Sequence, residues 1–143
     1  AQQELLPRLA EAGISWTTVA PVGSSPLPWR AMRDAGMGLG LGTDGIRDLW
    51  NPFGDGDVLA VALTFARLHG LHADEDLVRA VSLATTEAAP FVHRTQHDLR
   101  PGSRADIVLV DAQNVPDALV RAPRRELVVA GGRVVVREGE LTI

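Results

Sequence analysis

The chain has 143 residues, enough for one domain and short for two. A net charge of −4 gives no electrostatic footprint for a polyanion, and the six arginines between residues 94 and 125 are spread out, so nucleic acid is not an expected partner. The absence of cysteine and lysine excludes thiolate metal sites, thiol nucleophiles, Schiff bases, a P-loop lysine and a carbamylated-lysine metal bridge within this chain.

No apolar run approaches the ~20 residues of a membrane span. The first 13 residues lack the basic start and apolar middle of a secretory leader. No membrane partner is expected, and a cytoplasmic location is. Tyrosine is also absent, so the chemical candidates are four histidines, the acids and the Ser/Thr hydroxyls.

Helical and strand-like patterns alternate along the first hundred residues, which predicts βα units and a parallel sheet. Residues 2–12 carry Leu5, Leu6 and Leu9 at helical spacing, with Gly13 as the stop. "ISWTTVA" (14–20) is β-branched and aromatic, and reads as a strand. "PVGSSPLP" is a loop, and residues 27–35 form a short helix ended by Gly36. "MGLGLG" (37–42) reads as a strand whose glycines let neighbouring backbone or a ligand approach closely. A long loop over 43–57 leads to an apolar helix, 57–68, ending at His69-Gly70. A second helix covers 73–89, its acidic first turn matched to the positive end of the helix dipole. From Arg104 the character changes to three strands, "ADIVLVD", "ELVVA" and "RVVVREG". The last two are joined at Gly131-Gly132, which can take the positive φ of a type I′ turn.

Two parallel strands cannot bury both faces of a sheet. Strands 105–110 and 126–130 are near-continuously apolar, so they also want cover on two sides. At roughly 1.5–3 kcal/mol per fully buried Val, Leu or Ile, these elements call for partners beyond the chain. The expectation is the C-terminal part of a larger protein, or one chain of a split one.

Residues 40–45 satisfy G-x-G-x-x-G, the dinucleotide fingerprint. That reading needs a helix starting at about 42–45 to hold pyrophosphate. "IRDLWNPFGDGD" follows instead, with a proline and two glycines, so the nucleotide reading fails. An EF-hand beginning at Asp55 fails as well, because position 6 is Ala60 rather than glycine. The remaining functional reading is a strand delivering Asp44 at its carboxyl end, where β/α barrels carry their catalytic side chains. On the residues alone, Asp44 is either that or a turn-former.

Three blocks in order carry a resemblance: "GLGTDGIRDLWNPFGDGDVL" (40–59), "LRPGSRADIVLVDA" (99–112) after a helix containing "SLATTEAA", and "VVAGGRVVVREGEL" (128–141). Together they resemble the C-terminal end of an amidohydrolase-superfamily enzyme of the cytosine deaminase and N-isopropylammelide amidohydrolase-like branch. The implied fold is α/β: residues 1–103 would be the last units of a (β/α)8 barrel, and residues 104–143 strands of a small β-sandwich. The implied activity is metal-dependent hydrolysis of a C–N bond on a nitrogen heterocycle, with one divalent ion, zinc or iron.

By that resemblance Asp44 is both metal ligand and proton shuttle, and Trp50 lines the substrate pocket, where an indole can pack against a flat heterocycle. Ordinary packing is the other reading of Trp50. A divalent ion would lower the pKa of its water to about 7, and a nearby carboxylate would pass that proton to the leaving amine. Cytosine deaminases carry a second acid directly after the metal aspartate. Here that position is Gly45, which points to a triazine, another cyclic amidine or an N-substituted amide. The histidine ligands and the catalytic glutamate would lie in the missing portion, since His69, His72, His93 and His97 sit at helix ends or in polar connections. The partners implied are a small heterocyclic substrate, the missing portion, and a second subunit in a homo-oligomer. A cyclic-amide hydrolase of a neighbouring branch and a non-catalytic barrel homologue remain as alternatives.

Overall fold

The computed structural model describes residues 2–49, 52–94 and 97–142. The chain opens with helix α1 (Gln2–Glu11), strand β1 (Trp16–Thr18), helix α2 (Trp29–Asp34) and strand β2 (Leu39–Leu41). The two strands pair in parallel, Trp16 opposite Leu39 and Thr18 opposite Leu41. Helix α3 (Val58–Leu68) and helix α4 (Asp74–Ala84) follow, then a 3-10 turn, Ala89–Val92. The tail adds strand β3 (Ile107–Val110), helix α5 (Val115–Arg121) and strands β4 (Arg125–Ala130), β5 (Arg133–Arg137) and β6 (Glu140–Leu141). β3 to β6 form an antiparallel sheet in chain order.

Three helices stop by the same device. At α1, α2 and α3 a glycine takes positive φ: Gly13 at 73°, Gly36 at 81° and Gly70 at 60°. The next amide then reaches back to a carbonyl of the last turn, Ile14 to Leu9 at 3.0 Å, Met37 to Met32 at 3.0 Å and Leu71 to Ala66 at 2.9 Å. This is the Schellman closure. After α2 and α3 it turns an apolar residue inward, and Met37 and Leu71 are buried, whereas Ile14 after α1 stays exposed. The anticipated hairpin turn is present, with Gly131 and Gly132 at φ of 56° and 82° between the paired Ala130 and Arg133.

The core gathers around β2, whose three residues are all buried. Trp29 and Met32 of α2, Phe65 of α3 and Leu83 of α4 close over it. Trp29 meets Phe65 edge-on at 5.7 Å, and His69 packs on Phe65 at 4.3 Å. The one glycine of β2, Gly40, serves close approach, whereas Gly42 just beyond the strand has open space above it. A Cβ at Gly40 would stand 3.0 Å from the Phe91 ring and 3.3 Å from Ala88 Cα, so the 3-10 turn packs directly on the strand.

Some elements differ in extent from the sequence reading. The helix expected over 73–89 ends at Ala84, where Thr85 Oγ1 donates to the Val81 carbonyl and the chain turns into the 3-10 segment. The tail has a fourth strand, β6. It also contains α5, for which the sequence reading has no counterpart. Asn114 caps that helix by accepting from the Asp117 amide at 2.9 Å, while Asp117 accepts from the Gln113 amide at 2.9 Å. Arg121 pairs with Asp117 one turn on, at 2.8 Å. Leu119 of α5 is completely buried among the helices, so the tail sheet is tied back to the α/β segment.

Burial lowers the pKa of His69 below the ordinary imidazole value, and the Arg30 cation adds to the effect. The folded state therefore prefers neutral His69. Its contribution to stability is complete above about pH 6.5 and is lost as pH falls through that value toward the folded pKa. Thermal melts of the wild type should drop over this window, and His69→Gln should flatten the drop. An identical pH profile in the variant would remove His69 from the account. Leu119→Ala should cost about 2–5 kcal/mol, read as a lower urea midpoint.

Candidate active site

β1 and β2 run parallel, so their carboxyl ends open at one edge of the sheet. The Gly42 amide donates to the Thr18 carbonyl at 3.1 Å, and the ladder ends there. Asp44 follows in the left-handed region at φ 53°, a conformation that costs a residue with a Cβ about 1–3 kcal/mol and concentrates at functional sites. It lines an open cavity of about 450 Å³ with Thr17, Thr18, Val19, Pro21 and Gly42. A second cavity of about 430 Å³ lies across the 19–21 segment, between Thr43, Phe53 and the start of α3.

The loop after Asp44 doubles back on itself. The Arg47 amide donates to the Phe53 carbonyl at 3.3 Å, and Arg47 Nε donates to the Gly54 carbonyl at 3.1 Å. Further along, Ile46 Cδ1 stands 3.2 Å from where a Cβ at Gly56 would be. The segment 45–47 thus lies against 53–56. Trp50 lies outside the described residues.

The loop's exit is fixed by Asp57. Its Oδ1 accepts from the Leu59 amide at 2.9 Å, capping α3. Arg125 Nη2 donates to both Asp57 oxygens, at 2.8 and 2.6 Å, and Arg125 Nη1 donates to the Pro123 carbonyl. One carboxylate therefore caps a helix and joins the α/β segment to the first residue of β4. The sequence reading makes Asp57 only the start of a helix. Its signal was an acid immediately before an apolar helical run.

Position 45, read from sequence as a lost acid, is not empty space. The Asp48 carboxylate lies over Gly45, its Oδ2 in the space where a Cβ would stand. Asp48 is exposed and follows Asp44 by one turn of the loop.

Among the described residues no three His, Asp or Glu side chains converge to hold a metal ion. The Asp44 carboxylate is exposed and has no hydrogen bond or ion pair with any described residue. This donor fits one position on a hard divalent cation, and by itself it does not make a site. His72 and His93 are exposed at element ends, His97 is exposed in the connection before β3, and His69 is committed to the Phe65–Trp29 cluster. Ser82 donates to Glu87 at 2.6 Å, and Arg79 pairs with Glu87 at 3.3 Å, which braces the turn that carries Phe91 to Gly40.

The chain is thus a mixed α/β fold with a lone carboxylate just beyond the carboxyl end of a buried parallel strand. Residues 3–141 match the amidohydrolase family, and the chain belongs to it. N-isopropylammelide isopropyl amidohydrolase of Pseudomonas sp. (strain ADP) is 27% identical over 136 residues, covering 94% of this chain and 34% of that protein. The crystal structure of N-isopropylammelide isopropylaminohydrolase from Burkholderia multivorans ATCC 17616 superposes with a TM-score of 0.90 at 38% identity, covering 98% of this chain and 36% of that one. A mutant of the atrazine chlorohydrolase TrzN from Arthrobacter aurescens TC1, complexed with zinc and atraton, gives a TM-score of 0.78 at 25% identity over 99% of this chain and 35% of that one. The chain spans about a third of the length of these relatives.

Asp57→Asn keeps an oxygen to cap α3 and loses the charge that faces Arg125, so it should be milder than Asp57→Ala, which loses both. Capping alone is worth about 0.5–2 kcal/mol. A double-mutant cycle with Arg125→Met should return a coupling of about 1 kcal/mol in urea unfolding. Independent, additive effects would show that the pair does not join the two segments.

Proposed function

We propose that this chain is the C-terminal portion of a metal-dependent amidohydrolase that cleaves an exocyclic C–N bond on a nitrogen heterocycle of the triazine kind. In this reading the 1–103 segment supplies the last units of a (β/α)8 barrel, and β3–β6 belong to a small β-sandwich beside it. The remaining barrel strands come from sequence outside this chain. The observation that carries the reading is the unengaged carboxylate of Asp44 at the carboxyl end of β2, in a chain of the amidohydrolase family.

The partners of the parallel strands support it. β1 exposes Trp16, and an apolar cleft lined by Leu5, Leu9, Trp16, Leu27 and Met37 opens beside it. Val108 and Leu109, successive residues of β3, are also exposed, so both faces of that strand still present apolar surface. These are the surfaces that further strands and helices would cover.

Asp44 would contribute one oxygen ligand to a divalent ion, zinc being the ion held by the related chlorohydrolase. When bound, such an ion supplies an acidified water at neutral pH. An Asp44 oxygen accepts the proton of the attacking water as its oxygen bonds to the ring carbon. The C–N bond then breaks, and Asp44 returns that proton to the departing nitrogen. Water and the aminated heterocycle thus give the hydroxylated heterocycle and a free amine. Trp50 packs against the ring in this reading, and Gly45 favours a triazine or N-substituted substrate over cytosine.

In the full-length protein Asp44→Asn should reduce turnover of N-isopropylammelide by more than tenfold, at least about 1.4 kcal/mol of barrier, with unchanged far-ultraviolet circular dichroism. Elemental analysis should find about one divalent ion per subunit in the wild type and less in Asp44→Ala. A metal-free wild type, or an Asp44→Asn protein with a tenth or more of its activity, would overturn the reading.

A further inference from the structure

The two faces of the β1–β2 pair are used differently. Trp16 and Thr18 turn toward the helices, where they line a small cavity with Phe65, Leu68 and His69. Side chains alternate along a strand, so Thr17 turns to the opposite face. Its partner in the ladder is Gly40, and Gly42 shares that face two residues on. The Phe91 ring covers Gly40, whereas nothing lies within 4 Å of where a Cβ at Gly42 would stand. This face is therefore closed at its middle by an aromatic ring and open toward the carboxyl end, where β2 delivers Asp44.

Thr17 is exposed and lines the same open cavity of about 450 Å³ as Asp44. Its hydroxyl has no hydrogen-bond partner among the described residues. The neighbouring hydroxyl differs, because Thr18 Oγ1 accepts from the Ala20 amide at 3.1 Å and is tied to its own turn. Val19 and Pro21 give the cavity apolar walls. One unengaged carboxylate, one unengaged hydroxyl and apolar surface form the lining that a small ring with polar atoms on its edge requires. Among the lining side chains only the two threonines can donate a hydrogen bond, and Thr18 faces the helices.

We propose that Thr17 is a substrate-binding residue of this site, its hydroxyl donating a hydrogen bond to a ring nitrogen or ring oxygen of the heterocycle held against Asp44. The inference rests on the hydrolase reading above and adds a donor to it. An ionised carboxylate such as Asp44 is an acceptor only, so it leaves the lone pairs on the ring edge unmatched. A ring that gives up water on entering the cavity needs a protein donor for those lone pairs. Threonine and valine have nearly the same shape, so at this position the hydroxyl is separable from the volume. Gly42 completes the arrangement, since its missing side chain leaves free the space on the same face beside Asp44.

The test uses the full-length protein and N-isopropylammelide. Affinity is read by calorimetry in an Asp44→Asn background, where the compound is not consumed, and kcat and KM are read with Asp44 in place. Thr17→Val should weaken binding about tenfold, with the loss in KM and kcat held within about threefold. Thr17→Ser, which keeps the hydroxyl, should restore affinity to within about threefold of the parent; it is compared with Thr17→Ala if Thr17→Val does not fold. Gly42→Val should block binding while leaving the melting temperature and the metal content unchanged. Undiminished affinity in Thr17→Val, or a Thr17→Ser protein as weak as Thr17→Val, would overturn the proposal, as would full affinity in Gly42→Val. An Asp44→Asn protein that still consumes the compound would sink the role of Asp44 alone, and Thr17 would then be judged on KM in the wild-type background. Wild-type protein that neither binds nor converts the compound would overturn both readings.

Discussion

The three residues Leu39–Leu41 are sealed from water on every side, and that burial governs the rest of the chain. Leucines at 39 and 41 face one way and Gly40 the other, where the Phe91 ring and Ala88 come within about van der Waals contact of the backbone. A side chain at 40 would push the 3-10 turn off the strand. The bracing of that turn through Ser82, Glu87 and Arg79 then has a clear purpose. It holds an aromatic ring against the only kind of residue that admits it. A strand fixed so firmly has a fixed end, and the loop that begins at that end inherits its position.

That inheritance explains how a long connection can serve a site. Residues 43–57 contain three glycines and, among the described residues, no helix or strand, so their conformational entropy argues for mobility. Three constraints oppose it. The ladder bond at Gly42 fixes the start, the Arg47 contacts fold one limb onto the other, and Asp57 fixes the exit. Asp57 carries the largest share because it satisfies a helix amide and a guanidinium with one carboxylate. The guanidinium belongs to β4, so a residue of the tail sheet bears on the loop through a single ion pair. The proposed division into barrel and sandwich segments meets at that pair and at Leu119.

Much of this was legible in the residues. Gly13, Gly36 and Gly70 each stop a helix where their positions suggested, because a positive φ at C′ is a local requirement that local sequence satisfies. The rejection of the dinucleotide fingerprint follows for a similar reason: α3 starts at Val58, well beyond the glycines. What escaped the reading depends on encounters between distant residues. Helix α5 has a recognisable cap in Asn114 and Asp117, yet its Val115 and Val120 are exposed, and only Leu119, packed against α3 and α4, is buried. The Asp57–Arg125 pair spans 68 residues and leaves no local mark. The Asp48 carboxylate escaped because its signal was the absence of a side chain three residues earlier.

Gly45 shows how such a signal should be handled. Compared position by position with its family, the residue after Asp44 looks like a subtraction, an acid replaced by nothing. In three dimensions the volume of that missing side chain is occupied, and by a carboxylate. Position-wise comparison cannot detect this, because it assumes that each residue supplies the atoms at its own place. Packing density makes no such assumption, since interiors and tight loops leave few voids larger than a water. A glycine that is not needed for its φ is a statement about whose side chain fills the space above it. At this loop the answer is the carboxylate end of Asp48, three residues further along the chain.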